Sequence, residues 1–311
     1  MTWARALAAM TAAELRKALH KKRFIVLGLF FLLIAPGAQV LSAYFLNSRL
    51  GGSSLDPQGL VGLGVQQIAT PYNLARNNLG VALPGLTLVL CAIVGSFFLS
   101  EDRGYRMFKV NLTLGQPRAR VLAAKFLAGM LILGAIAFAG LLGSLVVGGL
   151  GGLLGLAVTF GGDWVSLVGV YALQWLVMAA PLGLAFLLAS LIASPAITVI
   201  GVVVLPALLE NLLRAGVLAQ ANRVSMLNAP FQASRIQDNL AGLQPYLLTP
   251  NLNLGGAYLG QQVTGFIRAA GVSAAGFDWA LIGQQALTCA VYAIIFLALT
   301  VLGFTRRDVN D

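Results

Sequence analysis

Long apolar runs alternate with short polar or charged segments along the whole chain. A helix needs about 20 apolar residues to cross the core of a bilayer, and six runs come close to or exceed that length. They span residues 24–46, 81–99, 126–150, 165–192, 196–213 and 280–304. The pattern predicts an all-α integral membrane protein with six transmembrane helices, which form a single transmembrane domain over residues 1–311.

The residues before the first run predict a different kind of helix. In "TAAELRKALHKKR", Thr11 and Glu14 have the spacing of a capping box, which predicts a helix that starts at Thr11. Three apolar residues then share one face: Ala12, Leu15 and Leu19. Because basic residues flank that face, residues 1–23 are expected to form an amphipathic helix on an anionic membrane surface. A solvated basic tail is the alternative.

The first run itself allows two interpretations. A basic region followed by an apolar core and small residues such as Ser42 and Ala43 is typical of a cleaved signal peptide. The run is longer than the core of a signal peptide, which favours a retained span. Pro36 inside it predicts a kink.

Two similar tetrapeptides precede the fourth and sixth runs: "GGDW" at 161–164 and "GFDW" at 276–279. Asp163 and Asp278 can each cap a helix N-terminus, and the tryptophan after each can anchor at the headgroup level. Both helices are therefore expected to begin on the same side of the membrane.

The connections between the runs differ in length. Only residues 193–195 separate the fourth run from the fifth, which predicts a tight antiparallel hairpin. Glycines crowd the far half of the third run, as in closely packed membrane helices, although a loose glycine loop beyond residue 150 fits equally well. The connection 214–279 predicts a small extracytoplasmic cap between spans five and six, with the periodicity of an interfacial or re-entrant helix at 255–271.

Composition agrees with lipid as the main solvent, since 59% of the residues are apolar and 10% are charged. The net charge of +10 is concentrated at the ends of runs rather than on one face, which does not support nucleic-acid binding. Most Lys and Arg residues precede the first run, lie within 100–125 or follow the last run. The positive-inside rule therefore places both termini in the cytoplasm, in a multi-pass protein of the cytoplasmic (inner) membrane.

Few residues offer catalytic chemistry. Cys91 and Cys289 lie inside apolar runs, which argues against a disulfide framework or a thiolate metal site. The single histidine, His20, lies in a basic stretch outside the runs, and no G-x-x-x-x-G-K-[ST] loop for nucleotide binding occurs. We expect no enzyme activity, no metal site and no cofactor in this chain.

Glu210 is the only clear ionisable residue inside a predicted span, and it lies toward the outer end. Arg214 follows four residues later on the same helical face, in the favourable order for an ion pair. The two residues form either a structural pair at the outer rim or part of an outer gate that contacts the substrate.

Residues 100–125, "SEDRGYRMFKVNLTLGQPRARVLAAK", form a charged segment between the second and third runs. This segment resembles the one found in the type-2 permeases of ATP-binding-cassette exporters, which serve drugs, polysaccharides, antibiotics and sodium. The matching residues are Glu101, Gly104, Leu112, Leu114, the Pro-x-x-Arg of Pro117 and Arg120, and Lys125. Tyr105 and Ala124 depart from the pattern, which usually has a small hydroxyl residue and a glycine at these positions.

The resemblance covers nearly the whole chain and implies a permease subunit of an ATP-driven exporter. In that family the segment is a coupling helix that docks on a separately encoded ATPase, and two permeases, identical or different, assemble in the lipid. ATP and Mg²⁺ are then bound by the partner subunit. Glu101 and Asp102 are expected at the N-terminus of the coupling helix, where the helix dipole favours carboxylates. The implied coupling residues are Glu101, Arg103, Gly104, Pro117, Arg120 and Lys125.

Two other functions fit the same residues. One is an ion-coupled secondary carrier, although such carriers usually place coupling charges within their spans. The other is a membrane scaffold or sensor that regulates a docked partner without transport. Substrate identity does not follow from the sequence.

Overall fold

The computed structural model describes residues 3–50, 70–79, 84–104, 117–156, 158, 160–192, 194–221, 242–254 and 277–306. The helices in chain order are α1 (Trp3–Leu19), α2 (Lys22–Leu29), α3 (Ala35–Leu50), α4 (Pro71–Leu79), α5 (Pro84–Gly104), α6 (Arg118–Leu150), α7 (Trp164–Val177), α8 (Ala179–Leu191), α9 (Pro195–Ala221), α10 (Leu248–Asn251) and α11 (Trp279–Arg306). A π-helical turn, Phe30–Ile34, joins α2 to α3, and 3₁₀ turns occupy Gly151–Leu154 and Gln244–Tyr246.

Five helical units in these ranges are long and apolar enough to cross a membrane. They are Lys22–Arg49, Arg118–Leu154, Trp164–Leu191, Pro195–Leu213 and Trp279–Gly303. The predicted second span corresponds to α5, in which Leu86–Leu99 is a shorter apolar stretch. The chain is thus a multi-pass membrane protein with a helical architecture, and a sixth crossing stays a prediction.

Contacts between the long helices establish their relative directions. The indole of Trp175 donates to the Met130 carbonyl (2.6 Å), while Phe186 packs edge-on against Phe126, so α7–α8 runs antiparallel to α6. Contacting pairs give the other directions in the same way. Cys91/Met178 and Gly95/Ala185 show that α5 is parallel to α7–α8, and Gly169/Trp279 and Gly183/Phe296 show the same for α11. Leu32/Gly143 and Val40/Gly151 show that α2–α3 is parallel to α6. Long helices that follow each other along the chain therefore alternate in direction.

The connection between α8 and α9 is the predicted tight hairpin. Helix α8 ends at Leu191 and α9 begins at Pro195, and Gly201 packs against Leu188 across the turn. Beyond residue 150 the chain forms a 3₁₀ turn that ends on Gly155 at φ +75°, in the left-handed region that glycine adopts without strain. Regular structure thus continues to Leu154, and the described residues between Gly155 and Asp163 are non-helical, so the alternative of a glycine loop beyond residue 150 applies only after this turn.

The predicted kink at Pro36 takes the form of a π-helical turn. The N–H of Ala35 donates to the Phe30 carbonyl, five residues back. Because Pro36 has no N–H, the Leu32 carbonyl four residues before it loses its usual helical donor. This carbonyl lies against Gly143 of α6, where any Cβ would overlap it. Glycine at position 143 thus allows the two helices to approach, as the crowding of glycines predicted.

The predicted N-terminal caps of α7 and α11 are confirmed. Asp163 accepts a hydrogen bond from the Ser166 N–H (3.0 Å), and hydrogen bonding to the Ser166 side chain and then to its N–H lowers the pKa of the Asp163 carboxyl. Asp278 accepts from the N–H groups of Ala280 and Leu281, both at 3.1 Å. Because α7 and α11 run parallel, both caps lie at the same end of the bundle.

Helix α1 differs from its prediction in two respects. It already includes Trp3, so the predicted start at Thr11 is wrong, and the Thr11 hydroxyl instead donates to the Leu7 carbonyl within the helix (2.9 Å). Thr11 and Ala18 are buried, whereas Leu19 is 53% exposed. The face that packs on the bundle is therefore rotated by about one position from the predicted one, and α1 is not a solvated tail.

Candidate functional sites

The first candidate site lies at the end of the bundle where α5 ends and α6 begins. Glu101, Arg103 and Gly104 occupy the last turn of α5, of which the backbone alone is described. The expectation that Glu101 stands at the start of a coupling helix is therefore wrong. Leu112 and Leu114 lie outside the described residues, as does the connection 105–116.

The Pro-x-x-Arg motif marks the beginning of α6. Pro117 is the N-cap residue, with extended backbone angles of φ −64° and ψ 134°, and its carbonyl accepts from the Arg120 N–H at 2.9 Å. A proline suits this place because its missing N–H would have no helical partner there. The motif thus brings Arg118 and Arg120 into the first turn of a 33-residue helix.

Four of the five charged side chains at the two helix ends oppose the helix dipoles, and the fifth, Arg103, complements the dipole of α5. Glu101 and Asp102 lie at the negative C-terminal end of α5, and Arg118 and Arg120 lie at the positive N-terminal end of α6. Each such placement costs a helix about 0.3–1 kcal/mol at an exposed position. The positive-inside rule accounts for the two arginines but not for the two carboxylates. The carboxylates do not stabilise α5 either, so neither reason explains its acidic end.

Lys125 lies one to two turns further along α6 and is fully buried. Its ammonium donates to Glu14 Oε1 of α1 at 2.8 Å, and the Glu14 side chain is only 16% exposed. A buried ammonium requires a partner of opposite charge, because its desolvation is otherwise too costly. In this structure Lys125 therefore ties α1 to the helix that follows the charged segment.

The second candidate site is a segment around α10 that inserts between α7, α9 and α11. One side chain, Gln174, binds this segment at two points: its amide N–H donates to the Leu252 carbonyl (2.8 Å), and its amide oxygen accepts from the Leu254 N–H (3.1 Å). Tyr292 donates its hydroxyl to the Tyr246 carbonyl (3.1 Å).

The segment reaches well below the starts of the helices around it. Gln174 is ten residues after Trp164, and Cys289, which contacts the Asn251 carbonyl at 3.4 Å, is ten residues after Trp279. At 1.5 Å per residue these contacts lie about 15 Å along their helices. Non-helical backbone at such depth must find hydrogen-bond partners in the protein, and these side chains supply them.

Glu210 belongs to this second site. Its side chain is 6% exposed, and Oε1 accepts the Thr249 N–H at 2.7 Å. The Arg214 side chain lies outside the described part of the chain, so its ion pair with Glu210 stays a prediction. What the structure adds is a link from α9 to the inserted segment.

A chain of polar side chains joins α4 to two neighbouring helices. Gln39 donates to Asn78 (2.7 Å), Asn78 donates to the Ser144 hydroxyl (2.6 Å), and Ser144 donates to the Gly140 carbonyl of α6 (2.7 Å). These bonds connect α3, α4 and α6 within the bundle, which helps to fix the position of α4.

Sequence reasoning missed Gln174, Asn78 and the inserted segment around α10. A usable signal existed for Gln174, because an amide in the middle of an apolar run needs a polar partner. The predicted re-entrant helix at 255–271 lies outside the described residues. Within the residues described, no group of three or more His, Cys, Asp or Glu side chains could hold a metal ion, and Cys91 and Cys289 are buried free thiols.

Comparison with known proteins agrees with this architecture. The family model of the ABC-2 family transporter proteins matches residues 8–309, which is nearly the whole chain. No curated protein matches the chain.

Proposed function

We propose that this chain, which belongs to the ABC-2 transporter family and is a membrane permease, forms the pathway of an ATP-driven exporter in the cytoplasmic membrane. Residues 100–125 dock on a separately encoded ATPase, which binds ATP and Mg²⁺. The observation that carries the proposal is the set of charges at the end of α5 and the start of α6. Glu101, Asp102, Arg118 and Arg120 oppose the dipoles of their own helices, which favours a role in contacting a partner protein.

The connections of the charged segment suit it to transmit motion. It continues directly into α5 on one side and into α6 on the other, and Lys125 joins α6 to α1 through Glu14. A displacement of the segment by the ATPase would therefore move three helices together. Lys125 acts here as a positioning residue, because it is buried away from any docking surface.

At the other end of the bundle, we assign Glu210 to an outer gate. Its bond to the Thr249 N–H links α9 to the inserted segment around α10, so a shift of α9 would pull on that segment. Two permeases and two ATPases complete the transporter, with the substrate passing between the permeases.

Charge reversal tests the docking surface directly. Glu101→Lys and Arg120→Glu, singly and together, are introduced into the permease, which is co-expressed with a candidate ABC ATPase from the same genome and purified through a tag on the permease. We expect each variant to lose most of the bound ATPase and the stimulation of ATP turnover by the permease. Light scattering on the unsubstituted complex should give the mass of two permeases with two ATPases.

Arg49→Glu is the matched control, because Arg49 is an exposed arginine in the last turn of α3, at the opposite end of the bundle. This variant should retain both the ATPase and its stimulation. Normal ATPase binding and turnover in the double variant at positions 101 and 120 would contradict the docking proposal. Ion-driven flux through the purified chain without ATP would favour a secondary carrier instead.

A further inference from the structure

Helix α7 binds two short elements with neighbouring side chains. The Tyr171 hydroxyl donates to the Ala75 carbonyl of α4 at 2.7 Å, and the Gln174 amide binds two backbone groups of the inserted segment around α10. Tyr171 is 7% exposed and Gln174 is 1% exposed. Because residues three apart are neighbours on a helix surface, one turn of α7 supports both elements.

Both elements lie at the end of the bundle opposite to the charged segment. Helix α6 begins beside that segment, and near its far end Gly148 lies so close to α4 that a Cβ would be 2.8 Å from the Pro71 Cα. The ring of Tyr72 in α4 meets Trp164, the first residue of α7, edge-on at 5.3 Å. The inserted segment contacts the same first part of α7 through Gln174.

A shared apolar cluster joins the two elements as well. One continuous group of buried side chains includes members from α4, α7 and the inserted segment, among them Tyr72, Ala75, Leu167, Val170, Leu248 and Leu252. Displacement of either element would uncover part of the cluster on which the other packs, and the burial of apolar surface is the main stabilising contribution of such a cluster.

Neither element is long enough to be stable by itself. Helix α4 has nine residues and α10 has four, and isolated helices shorter than about 12–15 residues are marginal. Each element is also fixed from a helix other than α7. Asn78 of α4 bonds Gln39 and Ser144, and Glu210 accepts the Thr249 N–H of the inserted segment. Their stability thus comes from neighbours, and α7 is the neighbour that they share.

We propose that α4, α7 and the inserted segment form one cooperative unit, in which α4 and the segment loosen together rather than one at a time. This inference deepens the outer gate assigned to Glu210 and in that respect rests on the proposed function, because a shift of α9 that frees the segment then releases α4 as well. The cooperativity is a property of the chain alone. It is measured without substrate or ATPase, so its failure and the failure of the transport proposal are separate results.

The test measures amide hydrogen exchange in the purified full chain, held in lipid nanodiscs and analysed by mass spectrometry. Asn78→Leu loosens α4 from α3 and α6, and its informative effect is on exchange in residues 247–254. Gln174→Leu loosens the inserted segment, and its informative effect is on exchange in residues 71–79. We expect each variant to raise exchange in the opposite element about fivefold, which is the effect of one ordinary hydrogen bond on an equilibrium.

A milder variant and a matched control complete the set. Tyr171→Phe removes one hydroxyl and keeps the ring, so it should fold normally and raise exchange in both elements. Thr300→Val is the control, because Thr300 is buried near the other end of α11 and donates to the Phe296 carbonyl of its own helix at 2.6 Å. It should leave exchange in both elements unchanged.

Unchanged exchange in the opposite element would overturn the proposal, because α4 and the inserted segment would then open independently. A rise that extends equally to the first half of α6, or an equal effect of Thr300→Val, would overturn it too, since the loosening would then be global. If either leucine variant fails to fold, Tyr171→Phe decides between these outcomes through its effect on residues 247–254.

Discussion

Glu14 and Lys125 are separated by 111 positions in the sequence but share one hydrogen bond in a buried place. Neither side chain would be stable there alone, since a buried charge without its partner is strongly destabilising. The pair therefore connects α1 to α6 specifically, because a hydrogen-bonded ion pair requires a more exact geometry than the apolar contacts around it.

Removing one partner should cost more than removing both. Lys125→Met leaves the Glu14 carboxylate mostly buried and should destabilise the protein by ~3 kcal/mol. Combining Lys125→Met with Glu14→Leu removes both charges and should recover most of that loss. A double-mutant cycle, read from thermal unfolding temperatures, measures the coupling, and purely additive effects would contradict it.

Gly143 offers a second prediction at the scale of one residue. A methyl group at this position would overlap the Leu32 carbonyl, so Gly143→Ala should lower stability by about 1–3 kcal/mol. Gly140→Ala, in the same helix, is the control, because nothing lies within 4 Å of a Cβ there. It should be neutral or slightly stabilising, as alanine favours helix more than glycine does. Equal effects of the two substitutions would show that helix propensity, not the contact, dominates.

At the scale of an element, the segment around α10 depends on side chains from helices that surround it. Gln174 satisfies two backbone groups of the segment, and Glu210 satisfies a third. The segment has few residues of its own in regular structure, so its position is set by these bonds rather than by local propensity.

Gln174→Leu should loosen that segment. Cys289 is 1% exposed and contacts the Asn251 carbonyl, so its labelling by a small water-soluble maleimide should become several-fold faster in the variant. Cys91→Ala provides the background in which Cys289 alone reports. Gln284→Leu, at an exposed position of α11, is the matched control and should leave the labelling rate unchanged.

The sequence predicted the elements better than the contacts between them. Apolar runs and the Asp-Trp pairs correctly located the long helices and two of their caps, because both signals are local. The inserted segment and the Glu14–Lys125 pair depend on residues far apart in the chain, and no local pattern specifies such partners. The capping-box spacing at Thr11 failed because the preceding residues, "WARALAAM", are themselves good helix formers and extend α1 backwards.

At the scale of the whole molecule, the first and last long helices, α2–α3 and α11, run in opposite directions, which is the arrangement that six crossings require. If α5 completes the second crossing, the N-terminal helix and the start of α7 lie on opposite sides of the membrane. We expect this because α2–α3 and α6 run one way while α5 and α7–α8 run the other.

Single cysteines in a background without Cys91 and Cys289 test this arrangement. Ala4→Cys and Phe160→Cys both place a thiol at an exposed position. An impermeant reagent added to intact cells should label position 160, and should label position 4 only after permeabilisation. Labelling of both positions from the outside would contradict six crossings.

The Glu14–Lys125 pair can form only after α6 has been synthesised. Helix α1 leaves the ribosome long before Lys125 does, so the Glu14 carboxylate has no Lys125 partner until α6 is synthesised. We expect the amphipathic character of α1 to hold it at the bilayer surface during that interval. Deleting α1 should therefore impair the insertion of α6 during biogenesis, and newly made chains lacking Glu14 should become substrates for membrane quality control.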